Sequence, residues 1–165
     1  MKQDYLDAMS KAASSVAVVT TDGPAGKLGV TVTAMCSVSV EGPAPTLLVC
    51  IHHLSPVCEA IRANRAFCAN LLGEDQAHVS DCFAGRSGAK NADKFDCAQW
   101  KRLATGAPVL VGGIAAFDCA LSDNHLIGSH HVFIGAIQCV ESGELGKPLV
   151  YHDRQYGRPE TLAAH

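Results

Sequence analysis

The stretch GVTVTAMCSVS, residues 29–39, decides the fold class because it combines the alternation of a β-strand with a complete absence of charge. Successive side chains on a strand point to opposite faces of the sheet. One face of this strand carries apolar or small residues, which we predict to face the core: Val30, Val32, Ala34, Cys36, Val38 and Val40. The stretch therefore predicts one long strand of a sheet that has a buried side.

The opposite face of this strand is a row of neutral polar side chains. It is formed by Thr31, Thr33, Ser37 and Ser39, with Met35 between them. One interpretation is a Thr/Ser-rich outer face with ordinary strand propensity. The other is a cavity wall that offers neutral hydrogen-bonding groups to a polar ligand. The residues alone leave both interpretations open.

The composition of the 165-residue chain favours one compact domain, because a chain of this length buries about 70% of its unfolded surface. Charged residues make up only 18%, which favours additional buried surface, as in a homodimer. The net charge of -3, without a basic run, excludes a general nucleic-acid-binding protein. No apolar run is long enough for a membrane span or a signal peptide, so we expect a cytoplasmic protein.

Cysteines and histidines are numerous, but they lack the close spacing of a metal-binding motif. No two cysteines have the CxxC spacing, and we interpret them as reduced core residues. His52 and His53 are adjacent, as are His130 and His131, and neighbours on a strand point to opposite faces. Neither pair is a ready chelate, and we predict no metal site.

Around the opening stretch, apolar runs and turn residues predict six or seven short strands and two or three helices. Predicted strands include residues 16–20, 46–51, 67–72 and 131–140, and a first helix covers residues 4–13. This pattern favours a mainly β barrel with a few helices over alternating βαβ units. The glycine motifs of dinucleotide-binding and phosphate-loop folds are absent, and so is the GxSxG motif of hydrolases.

A second helix is predicted to begin after Ser55, which is a typical N-cap residue. Pro56 then occupies the first helical position, and Glu59 lies in the first turn. The free backbone N–H groups of this helix start, together with the Ser55 hydroxyl, form a seat in which a phosphate could bind. Helix capping alone is the alternative interpretation.

Several motifs then occur in a fixed order: VAVVTTDGPAGKLGVTVTAMCSVS, FCANLL, FAGR, GSHHVFIG and PLVYHDRQYGR. Together they resemble the short flavin reductases that serve two-component flavin monooxygenases, such as the reductase component of 4-hydroxyphenylacetate 3-monooxygenase. The resemblance covers residues 4–158 and implies a single split β-barrel domain over residues 1–165 that forms a homodimer. It also implies hydride transfer from NADH or NADPH to FMN or FAD, and diffusion of the reduced flavin to a separate oxygenase.

The resemblance implies a role for particular residues. The flavin is expected along one segment: Thr31, Val32, Thr33, Ala34, Met35, Ser37 and Val38. Its phosphate is expected near His53, Leu54 and Ser55, with Arg86 as an additional basic contact. His130 is expected at the nicotinamide as the catalytic residue. Tyr151, Arg154 and Tyr156 match a C-terminal motif that closes over the site or the nucleotide.

Two other activities on the same barrel remain open from the sequence. One is a flavin-dependent cobalt-corrinoid reductase, and the other is a non-catalytic flavin- or haem-binding protein. The G-S-H segment that contains His130 and the C-terminal Tyr and Arg residues favour turnover, because a storage protein needs no nicotinamide seat. The residues give no preference between FMN and FAD, or between NADH and NADPH.

Overall fold

The structure, a computed structural model, describes residues 1–90, 93–143 and 146–162. The predicted domain over residues 1–165 also includes residues 91–92, 144–145 and 163–165, which lie outside the described residues. The helices in the described ranges are α1 (Lys2–Ser10), α2 (Pro56–Asn64), α3 (Ala77–Phe83) and a short 3-10 helix (Asp93–Cys97). None of these helices is long and apolar enough to span a membrane.

The strands in the same ranges are short, except for two long neighbours in the C-terminal half of the chain. They are β1 (Ser14–Ser15), β2 (Ala17–Thr21), β3 (Leu28–Val32), β4 (Met35–Ser39), β5 (Thr46–His52), β6 (Ala66–Leu71), β7 (Trp100–Arg102), β8 (Pro108–Leu110), β9 (Ala115–Ile127), β10 (His130–Ser142), β11 (Val150–His152) and β12 (Gln155–Gly157). The predicted mainly β class with a few helices is confirmed.

Seven of these strands form one antiparallel sheet in the order β3-β2-β6-β9-β10-β5-β4. Two smaller sheets have the orders β1-β11-β12 and β7-β8. The edge strands of the large sheet, β3 and β4, are joined by Thr33 and Ala34 alone. Because so short a connection spans only a few ångströms, the sheet must curl until its two edges meet at this corner.

The prediction of one continuous strand with its even-numbered side chains in the core is wrong beyond Val32. β3 pairs with β2, whereas β4 pairs with β5, and the change of partner at the corner shifts the alternation by one residue. Such a shift moves every later side chain to the other face. Met35 consequently packs against the core, whereas Val38 and Val40 are 51% and 78% exposed. Ala34 and Cys36 are exposed as well.

The main core lies between α2 and the large sheet. The predicted start of this helix is confirmed, with Ser55 at the N-cap and Pro56 at the first position. Val57, Cys58 and Ile61 face the sheet and are buried together with Phe67 and Phe133. Burying side chains of this size contributes about 1.5–3 kcal/mol each. The helix is therefore fixed on the sheet, and its N-terminus is held at a defined place.

A second core cluster fixes α3 beside β3. Phe83 at the end of α3 packs edge-to-face against Phe95 and Trp100, with ring centroids 5.0 and 5.5 Å away. Gly29 of β3 makes this approach possible, because a Cβ atom at this position would lie 2.6 Å from Phe83 Cε1. The absence of a side chain at Gly29 thus brings α3 close to β3.

α1 lies on the surface, and none of its residues is buried. Two contacts attach it to the turn between β11 and β12. The Arg154 guanidinium pairs with Asp7 Oδ1 at 2.6 Å, and the Asp153 backbone N–H donates to the Ser10 carbonyl oxygen at 2.6 Å. Tyr5 of the same helix is 63% exposed. The helix is therefore held by polar contacts at its C-terminal end.

All eight cysteines carry free thiols, in agreement with their interpretation as reduced residues. Most of them are buried or half-buried, although Cys36 is exposed at the corner of the sheet. Burial raises the pKa of the Cys119 thiol to about 12, and the Asp118 carboxylate acts in the same direction. Such a thiol stays protonated and unreactive at neutral pH.

Candidate functional site

Two cavities share the Thr31–Thr33 segment, which contributes to both walls. The first, of about 200 Å³, we call the tyrosine pocket; besides this segment it is lined by Val16, Ser80, Ala84, Arg86, Tyr151 and Tyr156. The second, of about 250 Å³, we call the histidine pocket; besides this segment it is lined by Val30, Ala34, Cys50, Ile51, His52, Ser55 and His130. The corner between β3 and β4 therefore stands at the centre of the site.

Polar side chains of the tyrosine pocket are bonded to one another through Asp81 of α3. The Tyr156 hydroxyl lies 2.8 Å from Asp81 Oδ1 and 2.9 Å from Ser80 Oγ. Arg86 Nη1 donates to Asp81 Oδ1 at 3.0 Å and to the Tyr156 hydroxyl oxygen at 3.2 Å. A phenol has one hydrogen, and the anionic carboxylate is the stronger acceptor. Tyr156 therefore donates to Asp81.

The protonation state of Tyr156 supports this arrangement. Burial raises the pKa of the Tyr156 phenol, and the Asp81 carboxylate adds to that effect, although the hydrogen bond with Ser80 opposes it. The phenol consequently keeps its proton at neutral pH and remains a donor. The Asp81 carboxylate thus receives hydrogen bonds from both Tyr156 and Arg86.

The two threonines of the shared wall differ in what their hydroxyls do. The Thr31 hydroxyl donates to the Ser80 carbonyl oxygen at 2.7 Å, so its hydrogen is already used to hold β3 against α3. The exposed Thr33 hydroxyl makes no hydrogen bond to any residue within the ranges that the structure describes. Thr33 is therefore the threonine whose donor and acceptor are both available to a ligand.

In the histidine pocket, two imidazole rings from neighbouring strands lie edge-to-face. His130 of β10 lies directly opposite His52 of β5, and their ring centroids are 5.1 Å apart at an interplanar angle of 84°. The Leu54 backbone N–H donates to His52 Nδ1 at 3.3 Å. His130 Nδ1 lies 3.0 Å from Ser129 Oγ. Each ring is thus held on its Nδ1 side, and each Nε2 atom is left for other partners.

Ser55 also lines this pocket and has an unused hydroxyl. Its backbone carbonyl accepts the Cys58 N–H at 3.1 Å, but its side chain makes no capping hydrogen bond. The typical N-cap interaction is therefore not formed here. The positive end of the α2 dipole and a free hydroxyl coincide at this point.

The structure brings together nine of the fifteen predicted site residues. Three are in the shared wall, three in the tyrosine pocket and three in the histidine pocket: Thr31, Val32, Thr33; Arg86, Tyr151, Tyr156; Ala34, Ser55, His130. The remaining six line neither pocket: Met35, Ser37, Val38, His53, Leu54 and Arg154. Their predicted contacts with a cofactor stay predictions. Arg154 in particular is paired with Asp7.

Sequence reasoning missed seven lining residues: Val16, Val30, Cys50, Ile51, His52, Ser80 and Ala84. Cys50 and His52 lie on the partly exposed face of β5, and the alternation of that strand could have identified them once its buried face was known. Ser80 and Ala84 come from α3, whose position depends on the close approach between Gly29 and Phe83. We find no local sequence signal for Ser80 and Ala84.

The site offers no evident metal centre. Among the described residues, no group of three or more His, Cys, Asp or Glu side chains could hold a metal ion. The polar side chains that line the two pockets include hydroxyls, imidazoles and one guanidinium.

Comparison with known proteins identifies the class to which this fold and site belong. The family described as "Flavin reductase like domain" matches residues 9–160. The chain therefore belongs to the flavin reductase-like family, as the resemblance implied.

Particular relatives narrow the comparison. The chain is 41% identical over 152 residues to "FMN reductase (NADH) RutF" of Methylorubrum extorquens, covering 92% of this chain and 72% of the relative. It matches a solved structure from Haemophilus somnus with a TM-score of 0.90 at 34% identity, covering 96% and 99% of the two chains. It also matches BorF, the flavin reductase component of a bacterial two-component tryptophan halogenase, with a TM-score of 0.86, 30% identity, and coverage of 98% and 100%.

Proposed function

We propose that this protein is an NADH-dependent flavin reductase that reduces FMN and delivers reduced flavin by diffusion to a separate oxygenase component. Family membership supports the flavin reductase activity. The name of the Methylorubrum relative supports FMN and NADH, and the description of BorF supports a separate partner enzyme. Neither name favours the corrinoid-reductase or the storage alternative.

The observation that carries the proposal is the neutral wall shared by the two pockets. An isoalloxazine ring needs neutral donors and acceptors with little bulk, and the exposed Thr33 hydroxyl and the Thr31–Thr33 backbone provide them. Each pocket is smaller than the roughly 300 Å³ that is typical at the lower limit of ligand sites. We infer that a bound flavin would lie along the shared wall and extend into both pockets.

The chain's own residues supply binding, orientation and control of water. When bound, the flavin accepts a hydride from the nicotinamide, so the protein needs no nucleophile. Ser55 and the N-terminus of α2 bind the phosphate through a hydroxyl and backbone N–H groups. His130, held by Ser129 and His52, orients the nicotinamide ring at the other end of the histidine pocket. Holding two reacting rings in contact geometry removes part of the entropic barrier to the transfer.

We further propose that the site is completed in a homodimer of split β-barrels. The sheet whose edges meet at the corner after Val32 supports the barrel architecture. β4 is an edge strand, and Val38 of this strand and Val40 just after it are exposed. An exposed apolar edge beside a shallow pocket is typical of an interface between copies of a chain. The expected compartment of the protein is the cytoplasm.

Anaerobic mixing of the purified protein with flavin and a nicotinamide tests the proposed function. We expect absorbance near the flavin maximum to decrease with NADH, faster than with NADPH, and to saturate with increasing FMN as a dissociable substrate. Tight, stoichiometric flavin without nicotinamide oxidation would overturn the proposal in favour of a binding protein. Sedimentation of the same sample tests the homodimer, and a monomer at all concentrations would contradict it.

A further inference from the structure

Arg86 is the cationic side chain in the lining of the two pockets. Its guanidinium is already bound to a carboxylate of the same chain. Its Nη1 donates to Asp81 Oδ1 at 3.0 Å. Asp81 comes from α3, whereas Arg86 follows that helix after the turn at Gly85. An arginine in a nucleotide site is a natural partner for a phosphate. Here the Asp81 carboxylate is already bound to Arg86 before any ligand arrives.

The carboxylate is fixed in this place by more than its charge. The Tyr156 hydroxyl donates to the same Oδ1 atom at 2.8 Å, and Ser80 Oγ lies 2.9 Å from that hydroxyl. Ser80 is in turn attached to the pocket wall, because its carbonyl accepts the Thr31 hydroxyl. Asp81 is therefore held in place by hydrogen bonds with residues of the pocket. It does not move with Arg86, as a free surface side chain would.

We propose that Asp81 sets the affinity of the site for a nucleotide phosphate by competing with it for Arg86. A phosphate that approaches Arg86 must share the guanidinium with Asp81 and is repelled by its charge. The Asp81 and Arg86 side chains are 41% and 54% exposed, so solvent weakens this repulsion without abolishing it. The consequence is a moderate affinity of the site for the nucleotide phosphate, which suits a protein whose flavin must leave after each turnover.

This inference rests on the proposed function and specifies the chemistry of one side of its site. The phosphate that reaches Arg86 belongs either to FMN or to the pyrophosphate of NADH. Both sources share the same chemistry, an exposed phosphate dianion or diester. The competition from Asp81 acts on either one, and the ligand series below distinguishes them.

The test compares Asp81→Asn with the wild-type protein. Asparagine keeps an oxygen acceptor for Tyr156 and Arg86 but removes the charge. At a phosphate distance of about 5–6 Å in a solvent-rich site, this change corresponds to an affinity gain of about three- to tenfold. If the FMN phosphate binds there, the Kd of FMN falls by that factor and the Kd of riboflavin does not. If NADH binds there, its KM falls with riboflavin as the acceptor.

Three further variants keep the test specific. Asp22→Asn makes the same charge change at a carboxylate that pairs with Arg102 at 2.6 Å and lines neither pocket, so it should change neither constant. Adding Arg86→Gln to Asp81→Asn should abolish the gain. Tyr156→Phe, which leaves the charge of Asp81 in place, should not reproduce it. The gain should also shrink as ionic strength rises.

Failure of this proposal differs from failure of the proposed function. If the wild-type protein reduces FMN with NADH but Asp81→Asn behaves like Asp22→Asn for all three ligands, the competition is overturned and the reductase stands. If Asp81→Asn binds FMN more weakly, Asp81 is a positioning residue for Arg86, and the competition is again overturned. An unfolded variant is recognised by its melting curve, and Asp81→Ser then replaces it in the same measurements.

Discussion

The two pockets differ in what their polar groups are already doing. In the tyrosine pocket, the side chains of Tyr156, Arg86 and Asp81 are bonded to one another, and Thr31 is bonded to α3. In the histidine pocket, the Ser55 hydroxyl caps nothing, and the rings of His52 and His130 are held on one side only. A connected polar network resists rearrangement, whereas unused donors are free for a ligand. The tyrosine pocket should therefore hold the shape of the site, and the histidine pocket should supply the groups that bind ligands and support turnover.

The largest effect should come from His130→Ala. Removing the ring deprives the nicotinamide of its orienting contact and leaves the flavin wall intact. We expect the rate of NADH-dependent flavin reduction to fall about 10- to 100-fold, as for the loss of about 1.4–3 kcal/mol of transition-state positioning. The Kd of FMN should change less than about twofold, which is within the variation of a neutral substitution. Stopped-flow absorbance under anaerobic conditions measures the rate, and fluorescence quenching measures the affinity.

His125→Ala is the matched control for that variant. The His125 side chain is 59% exposed, lies 3.0 Å from Asp123 Oδ2 and lines neither pocket. It should leave both the rate and the affinity near the wild-type values. A normal reduction rate in His130→Ala would remove the role assigned to His130 and would place the nicotinamide elsewhere.

Ser55→Asp should have the next largest effect, because it places a negative charge at the N-terminus of α2 in the histidine pocket. A phosphate dianion about 4–5 Å from that charge is repelled by about 1.4 kcal/mol in a solvent-rich site. We expect the Kd of FMN to rise about tenfold, which is the same free energy. Equilibrium titration of the flavin fluorescence provides the measurement.

Riboflavin separates repulsion of the phosphate from damage to the pocket. It lacks the phosphate, so its affinity for Ser55→Asp should remain close to that for the wild-type protein. Equal weakening of FMN and riboflavin would show that the variant distorts the wall. Unchanged FMN affinity would move the phosphate to the tyrosine pocket, where Arg86 is the alternative partner.

The sequence predicts most of the fold because the strands have clear periodicity and turn residues between them. It underestimates the number of strands, because it predicts six or seven and the described ranges contain twelve. It also fails at the corner at Thr33 and Ala34, where neither residue is a glycine or proline that would indicate a break. The pairing of β4 with β5 decides which side chains of β4 face the core, and the alternation within the stretch does not reveal that pairing. The exposed Val38 and Val40 are the visible consequence.

The candidate site, like the fold, is predictable where local motifs determine it and not where tertiary contacts do. Thr33 and His130 are recognisable because short motifs contain them. Ser80 enters the tyrosine pocket only because Gly29 lets α3 approach β3, and Asp81 meets Tyr156 across 75 positions of the chain. Tertiary packing alone creates such neighbours. The sequence predicts six residues in the lining of each pocket, and Ser80 and Ala84, which it misses, depend on tertiary packing.

A smaller effect should come from Tyr156→Phe, which tests whether the bonded network holds the shape of the tyrosine pocket. The variant keeps the ring but removes the hydroxyl that donates to Asp81. We expect the free energy of unfolding to fall by about 1 kcal/mol, the usual contribution of one such hydrogen bond. The reduction rate should stay within about threefold, because no nicotinamide contact is lost.

Urea denaturation and the stopped-flow assay measure these two quantities, and Tyr5→Phe is the control. Tyr5 is 63% exposed on α1, so its hydroxyl should contribute little to stability. A loss of reduction rate as large as that of His130→Ala would break the division between the two pockets.

The smallest effect should come from His131→Phe, which contrasts two adjacent histidines. His131 is buried, and its Nδ1 atom has no hydrogen-bond partner among the described residues. Burial lowers the pKa of His131, with contributions from the Arg62 and His53 charges that Glu59 partly opposes. The folded chain therefore binds fewer protons than the unfolded chain, and the stability of the wild-type protein should decline as the pH falls below about 6.5.

The His131→Phe variant should show a smaller decrease in melting temperature between pH 7 and pH 5 than the wild-type protein, and it should reduce flavin normally at pH 7. An identical decline in both proteins would mean that other groups cause it, and a slower reduction would mean that both histidines of the pair serve the histidine pocket.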